Sequence, residues 1–292
     1  MSEGATKKYK KNSQIKEIWR RLKKNKSAMV GLVIISIFIL AAILADFIAD
    51  YDKMAIQQNA LIRLQPPNLE HWFGTDAFGR DVFARLVHGS RISLTVGLFA
   101  TAVSVLVGGF LGALTGYYKG KVDTIIMRIM DIVQCIPSLL LAIAIVAALG
   151  PGMFNVLLAM TVSSIPGFTR VTRSVILTEV DQEYVEAAKS CGTSDIRIIL
   201  RHILPNAMGP IIVQATMSVA GMIIATSGLS YLGMGTQPPT PEWGSMLTEG
   251  QEYIRTAPYL VVFPGLAIVL TSLSINLFGD GLRDALDPKL KN

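Results

Sequence analysis

Charge is scarce in this chain. Only 16% of its 292 residues are Asp, Glu, Lys or Arg, against about 25% in an ordinary soluble domain. A chain that is 51% apolar has too few charges to cover itself as a soluble monomer, and the same apolar content excludes disorder. Cysteine and histidine are scarce as well, at two and three. Cys135 lies in an apolar block and Cys191 in a charged stretch, with no CxxC pattern or Cys/His cluster. That excludes a disulfide framework and argues against a structural zinc site, so no metal site is expected. No GxxxxGK[ST] run is present, so this chain has no P-loop for ATP. No Ser/His/Asp set and no carboxylate pair falls together, so catalysis is not expected.

What the chain has instead is long uncharged sequence. Residues 28–45, 92–118, 132–169, 203–241 and 256–279 carry no Asp, Glu, Lys or Arg. A membrane-spanning helix needs about 20 apolar residues, so the two longest blocks exceed one helix each. Gly150-Pro151-Gly152 and Gly233-Met234-Gly235 break them, because proline and glycine do not continue a helix. Six transmembrane helices follow, near 28–49, 92–116, 125–149, 153–172, 207–232 and 257–279. The class is an all-α polytopic membrane protein. Its divisions are a basic segment 1–27, a first helix 28–49, a loop region 50–91, a core of five helices over 92–281 and a tail 282–292.

Ten of the 27 Lys and Arg residues lie in 1–27. The apolar run behind them is longer than the core of a cleavable signal, so it is expected to stay as a spanning helix. The excess of positive charge therefore orients the chain in the bilayer and does not point to nucleic acid. With the N-terminus inside, 21 Lys/Arg face the cytoplasm and six face outward. Both termini are thus expected in the cytoplasm, the 50–91 region outside and the 173–206 region inside.

Three features inside this frame carry alternatives. Gly108, Gly112 and Gly116 recur every four residues and line one helix face. Small residues let backbones approach in lipid, either at a subunit contact or within the chain. Arg128 and Asp131 are three apart and can meet on one face. They are either a structural pair or, with Gln134 one turn on, part of a gate or solute path. In Gly74-Thr75-Asp76 through Gly79-Arg80-Asp81, glycine turns are mixed with opposite charges. The stretch either pins a loop or contacts another protein.

The 173–206 stretch holds the strongest signal. Asp181 is placed to cap a helix over 182–190, Gly192 to end it in a left-handed turn, and Ser194 to cap a second helix over 195–204 that stops before Pro205. A folded element between spans is rarely a mere linker. Small Ala187 and Ala188 permit close docking, and Glu186 adds a directed charge. From spacing alone, the element either packs on its own bundle or docks a partner.

The run Glu186-Ala187-Ala188, Gly192, then His202-Ile203-Leu204-Pro205-Asn206 resembles the EAA loop of ABC importer permeases. The 73–81 stretch with Gly89-Ser90-Arg91-Ile92-Ser93-Leu94 resembles a signature of dipeptide, oligopeptide and nickel permeases. So does Gly228-Leu229-Ser230-Tyr231-Leu232-Gly233 with Pro239, Pro241, Glu242, Trp243 and Gly244, and so does the ending Asn276 to Asp284. The basic start before Asn25-Lys26-Ser27-Ala28-Met29-Val30-Gly31 resembles the C-type partner of that group. The resemblance implies a type I ABC importer permease fold, with a coupling helix between helices 4 and 5. It implies a pore subunit in a bacterial inner membrane, most readily for di- or oligopeptides, with nickel complexes as the alternative. A homologous B-type permease, two ABC ATPases and an extracytoplasmic solute-binding protein are the implied partners. ATP and Mg would sit on the ATPases, with no cofactor on this chain. Gradient-driven secondary transport is the reading from another class. It expects ionisable groups near the bilayer midplane, where this sequence has almost none.

Overall fold

The computed structural model describes residues 14–286. The opening of the basic segment 1–27 and the end of the tail 282–292 lie outside them. The described residues form helices and turns, with one isolated bridge between Thr75 and Asp81. A short amphipathic helix α1 (Gln14–Leu22) leads into α2 (Lys26–Ile43). Asn25 caps α2 by accepting from the Ala28 N–H at 3.1 Å. After a short α3 (Ala45–Ile48) and a compact irregular segment, α4 runs from Val82 to Tyr118. Then come α5 (Gly120–Gln134), α6 (Ser138–Leu149) and α7 (Met153–Glu179). Two short helices, α8 (Glu183–Ser190) and α9 (Asp195–Ile198), precede α10 (Leu204–Tyr231). The chain closes with α11 (Trp243–Gln251) and α12 (Tyr259–Leu286).

Among the described residues, four stretches are long and apolar enough to cross a membrane: Lys26–Ile43, Val82–Tyr118, Asp195–Tyr231 and Tyr259–Leu286. The bent pair α5–α6 makes a fifth if it counts as one span. Helix α7 is 27 residues long, but Asn155, seven Ser/Thr residues, Arg170, Arg173 and Glu179 dilute its apolar content.

Close packing rests on small residues. A Cβ on Gly31 of α2 would stand 2.5 Å from the Ser274 carbonyl of α12. On α4, a Cβ would stand 2.7 Å from Phe168 Cβ at Gly108, 2.5 Å from the Thr169 carbonyl at Gly112 and 2.7 Å from Ile176 Cβ at Gly116. All three neighbours lie on α7. The glycine stripe therefore serves packing within the chain.

Several boundaries differ from those expected. Helix α4 begins at Val82, ten residues before 92, because its charged groups find partners. Arg91 donates to both Asp46 oxygens at 2.9 Å, and His88 Nε2 lies 2.8 Å from the Ala49 carbonyl. The single helix expected over 125–149 is two, bent by 82° at a break before Ser138. Pro137 disfavours helical geometry in the residue before it. Helix α7 runs past 172 to Glu179. Pro205 does not divide the 195–204 helix from the next. It sits in the first turn of α10, where a missing N–H costs little, and a stretch of wider π-type turns, Ile199–Ile203, joins α9 to α10. Helix α11 lies between the fifth and sixth expected helices, where no helix was placed.

Candidate functional site

The segment between α7 and α10 gathers at one end of the bundle, with the C-terminal end of α4. Its core is apolar. Val185, Ile198 and Ile203 are fully buried among Tyr117, Ile176, Val180, Ile199 and Ile211. Burial of such side chains is worth about 1.5–3 kcal/mol each, so the segment is held as a folded element. Val185 is the single fully buried residue of α8. Glu183, Tyr184, Glu186, Ala187, Lys189 and Ser190 face outward. One face of α8 is thus committed to the bundle and the other is free.

The caps differ from those expected. Helix α8 starts after Gln182, and no side chain caps it. Asp181 instead accepts from Lys119 Nζ at 3.0 Å. Ser194 precedes α9 but makes no side-chain cap either. Gly192 does adopt the left-handed conformation, with φ +72°, and the Thr193 N–H donates to the Ala188 carbonyl at 3.1 Å to close the helix end.

Long-range bonds complete the anchoring. The Tyr117 hydroxyl donates to Asp195 Oδ1 at 2.7 Å. Lys189 Nζ stands 5.2 Å from the centre of the Tyr117 ring. The Tyr184 hydroxyl donates to Glu179 Oε2 at 2.6 Å, and burial followed by that bond pushes its pKa up. At the far limb, Asn206 Nδ2 donates to the His202 carbonyl at 2.8 Å, while Pro205 and Asn206 are exposed. Tyr117 and Asp195 are 78 residues apart. No local pattern in the sequence signals their meeting.

Asp131 does not pair with Arg128 as expected. It accepts from Arg170 Nη2 of α7 at 2.5 Å, because α5 lies along α7. Asp123 accepts twice from Arg173, at 2.5 and 2.6 Å, on the same pair of helices. Asp131 is half-exposed and Gln134 exposed on the α5 surface.

Residues 108–292 match the family described as "Binding-protein-dependent transport system inner membrane component". Residues 13–67 match the "N-terminal TM domain of oligopeptide transport permease C". The chain is 48% identical to the dipeptide transport system permease protein DppC of Alkalihalophilus pseudofirmus, over 95% of this chain and 90% of the relative. This chain belongs to the dipeptide/oligopeptide ABC permease family, as a C-type subunit.

The permease is also 44% identical to the di/tripeptide transport system permease protein DppC of Pseudomonas aeruginosa, over 96% and 94% of the two chains. It is 47% identical to the glutathione transport system permease protein GsiD of Escherichia coli, over 94% and 90%. In fold it resembles a chain of the MetNI methionine ABC transporter in an inward-facing conformation. That likeness has a TM-score of 0.57 and 18% identity, over 70% of the permease and 96% of that chain. The permease is a non-catalytic, multi-pass inner-membrane subunit.

The opposite end of the permease carries the 74–81 motif. Gly74 and Gly79 both have φ near +75°, which only glycine adopts without strain. A Cβ on Gly79 would fall 1.8 Å from the Asn59 carbonyl. Thr75 is buried, and its hydroxyl accepts from the Gln65 N–H at 2.9 Å. Asp76 accepts from the backbone N–H of Phe78 and Arg80 and from Arg80 Nε at 2.7 Å. Arg80 also donates to Glu249 of α11 at 2.5 Å, and Arg85 of α4 donates to both acids. Asp81 caps α4 through the Ala84 N–H at 2.8 Å and meets His71 Nδ1 at 2.7 Å. Two arginines and two carboxylates, nearly all buried, thus tie the motif to α4 and α11. Arg85 and Glu249 were missed in the sequence. Glu249 lies 164 and 169 residues from the arginines it meets, and Arg85 falls outside the charge-free block.

Proposed function

We propose that the permease is one of two pore-forming subunits of an ATP-driven, binding-protein-dependent importer of di- or oligopeptides. Its partners in this reading are a homologous B-type permease, two ABC ATPases and an extracytoplasmic solute-binding protein. The names of the dipeptide, di/tripeptide and glutathione relatives support short peptides as the solute class.

The observation that carries the coupling role is the split character of α8. Val185 roots it on the bundle, and Glu186 and Ala187 lie on the free face. Helix α8 is the coupling helix, Glu186 and Ala187 meet the ATPase, and Ala188, Gly192, His202, Pro205 and Asn206 shape the loop behind them. ATP-bound and ATP-free states must hold that loop differently for hydrolysis to move the spans. Six spans are assigned: α2, α4, the α5–α6 pair, α7, α10 and α12. At about 1.5 Å per residue, α7 is long enough. Both termini and α8 then lie in the cytoplasm, and the 74–81 motif faces the solute-binding protein. Asp131 and Gln134 border the translocation path.

Glu186→Lys tests the coupling role. Membrane insertion is expected to be normal, whereas ATPase co-purification and peptide uptake fall at least about tenfold, the size of a 1.4 kcal/mol loss. Normal assembly and normal uptake of this variant would contradict the assignment.

A further inference from the structure

The loop that carries α8 is covalently continuous with α7 and α10. It has no chain connection to α4, yet the structure ties α4 to both of its limbs at one residue. Tyr117 sits one residue from the end of α4 and is 9% exposed. Its hydroxyl holds the first turn of α9 through Asp195, at 2.7 Å. Its ring lies under Lys189, in the last turn of α8. Neither limb has a side-chain cap of its own, and Gly192 between them is unobstructed. The angle between α8 and α9 is held by the backbone closure at Gly192 and by the apolar cluster of Val185 and Ile198, with no polar side chain of the limbs themselves. Tyr117 supplies a shared support.

The other side of Tyr117 is stiff. The adjacent Gly116 leaves no room against Ile176. Helix α4 is 37 residues long, about 55 Å, and carries Arg85, beside Asp76 and Glu249, near its opposite end. A close-packed helix moves as a body, so whatever displaces its Tyr117 end is felt at its Arg85 end.

We propose that Tyr117 is a positioning residue for energy coupling, which makes α4 follow the loop when α8 is displaced. The proposal rests on α8 as the ATPase-docking helix. Loss of the Tyr117–Asp195 bond leaves α7 and α10 driven through the backbone but loosens the α9 limb from α4, which is then joined to the loop by Lys119–Asp181 and by its packing on α7. Hydrolysis then proceeds with less transport per ATP.

The test uses the complete transporter in proteoliposomes, with its own binding protein and radiolabelled dialanine. Dialanine imported per ATP hydrolysed is compared across variants, along with cross-linking of the ATPase to a photoreactive group at position 187. Tyr117→Phe is expected to lower the ratio at least about fivefold while the cross-link persists. Asp195→Ala is expected to match it. Asp195→Asn keeps an acceptor oxygen and is expected to keep the ratio. The double variant Tyr117→Phe/Asp195→Ala is expected to be no worse than either single one, since both remove the same bond. A merely structural role lowers uptake and hydrolysis together, and an unchanged ratio in Tyr117→Phe overturns the proposal. A normal cross-link with that unchanged ratio leaves α8 docking intact. Absence of the cross-link in the unsubstituted transporter contradicts the docking itself, and the role of Tyr117 with it.

Discussion

Arg85 and Arg170 both pair with carboxylates, but their surroundings separate them. Arg85 is 1% exposed and shares Asp76 and Glu249 with Arg80. Truncating one member of a buried charge group leaves the others uncompensated, at a cost of about 3–5 kcal/mol. The Arg170–Asp131 pair is roughly half-exposed on both sides, where such pairs are worth about 0–1 kcal/mol. Arg85→Ala is therefore expected to lower the unfolding temperature in detergent sharply, and Arg170→Ala to change it little. Equal effects would contradict the burial argument. The glycines of α4 permit a similar contrast. A methyl on Gly112 would meet the Thr169 carbonyl at 2.5 Å, whereas the nearest atom to one on Gly109 is 3.9 Å away. Gly112→Ala is expected to destabilise by about 1–3 kcal/mol, the usual cost of overpacking, and Gly109→Ala to be nearly neutral. Thermal unfolding of the two variants checks this. The stripe at 108, 112 and 116 is legible from spacing alone. Which helix it faces is not, because Phe168, Thr169 and Ile176 carry no mark of their partner.

At the scale of the element, the anchoring of α8 by one buried side chain sets an expectation. Val185→Asp places a charge in the apolar cluster of Ile176, Ile198 and Ile203. Limited proteolysis is expected to cut the 180–203 segment of this variant much faster than in the unsubstituted permease, with the spans still inserted. Equal cleavage rates would show that Val185 does not hold the segment. Element boundaries were legible where charge is absent and misleading where charge is satisfied. The uncharged blocks located α2, α10 and α12. They missed the first ten residues of α4, since the groups that satisfy His88 and Arg91 lie near the end of α2. They missed the α5–α6 bend at Pro137, which sits inside an uncharged block and alters no composition. They also missed α11, where Glu242 accepts from the N–H groups of Gly244 and Ser245 and buried Trp243 donates to the Leu86 carbonyl at 3.0 Å. That cap is one residue long in sequence, but its packing partner is 157 residues away.

The whole molecule is a bundle with two tied ends. One end joins α4, α7 and α10 through Tyr117, Asp195 and the apolar cluster around Val185. The other joins α4 and α11 through Arg80, Arg85, Asp76 and Glu249. Helix α4 belongs to both, and in the proposed coupling it is the element along which an event at α8 reaches the opposite side. In the proposed orientation, which follows the excess of Lys and Arg on one set of loops, the α8 end lies in the cytoplasm. The docking of α8 requires that orientation, and native Cys191 reports on both. It is exposed at the end of α8. In a Cys135→Ser background, labelling by a membrane-impermeant maleimide is compared in right-side-out and inside-out vesicles, with and without the ATPase subunits. The account predicts labelling only in inside-out vesicles and protection when the ATPases are bound. Labelling from the outer side, or equal labelling with and without bound ATPases, would contradict it.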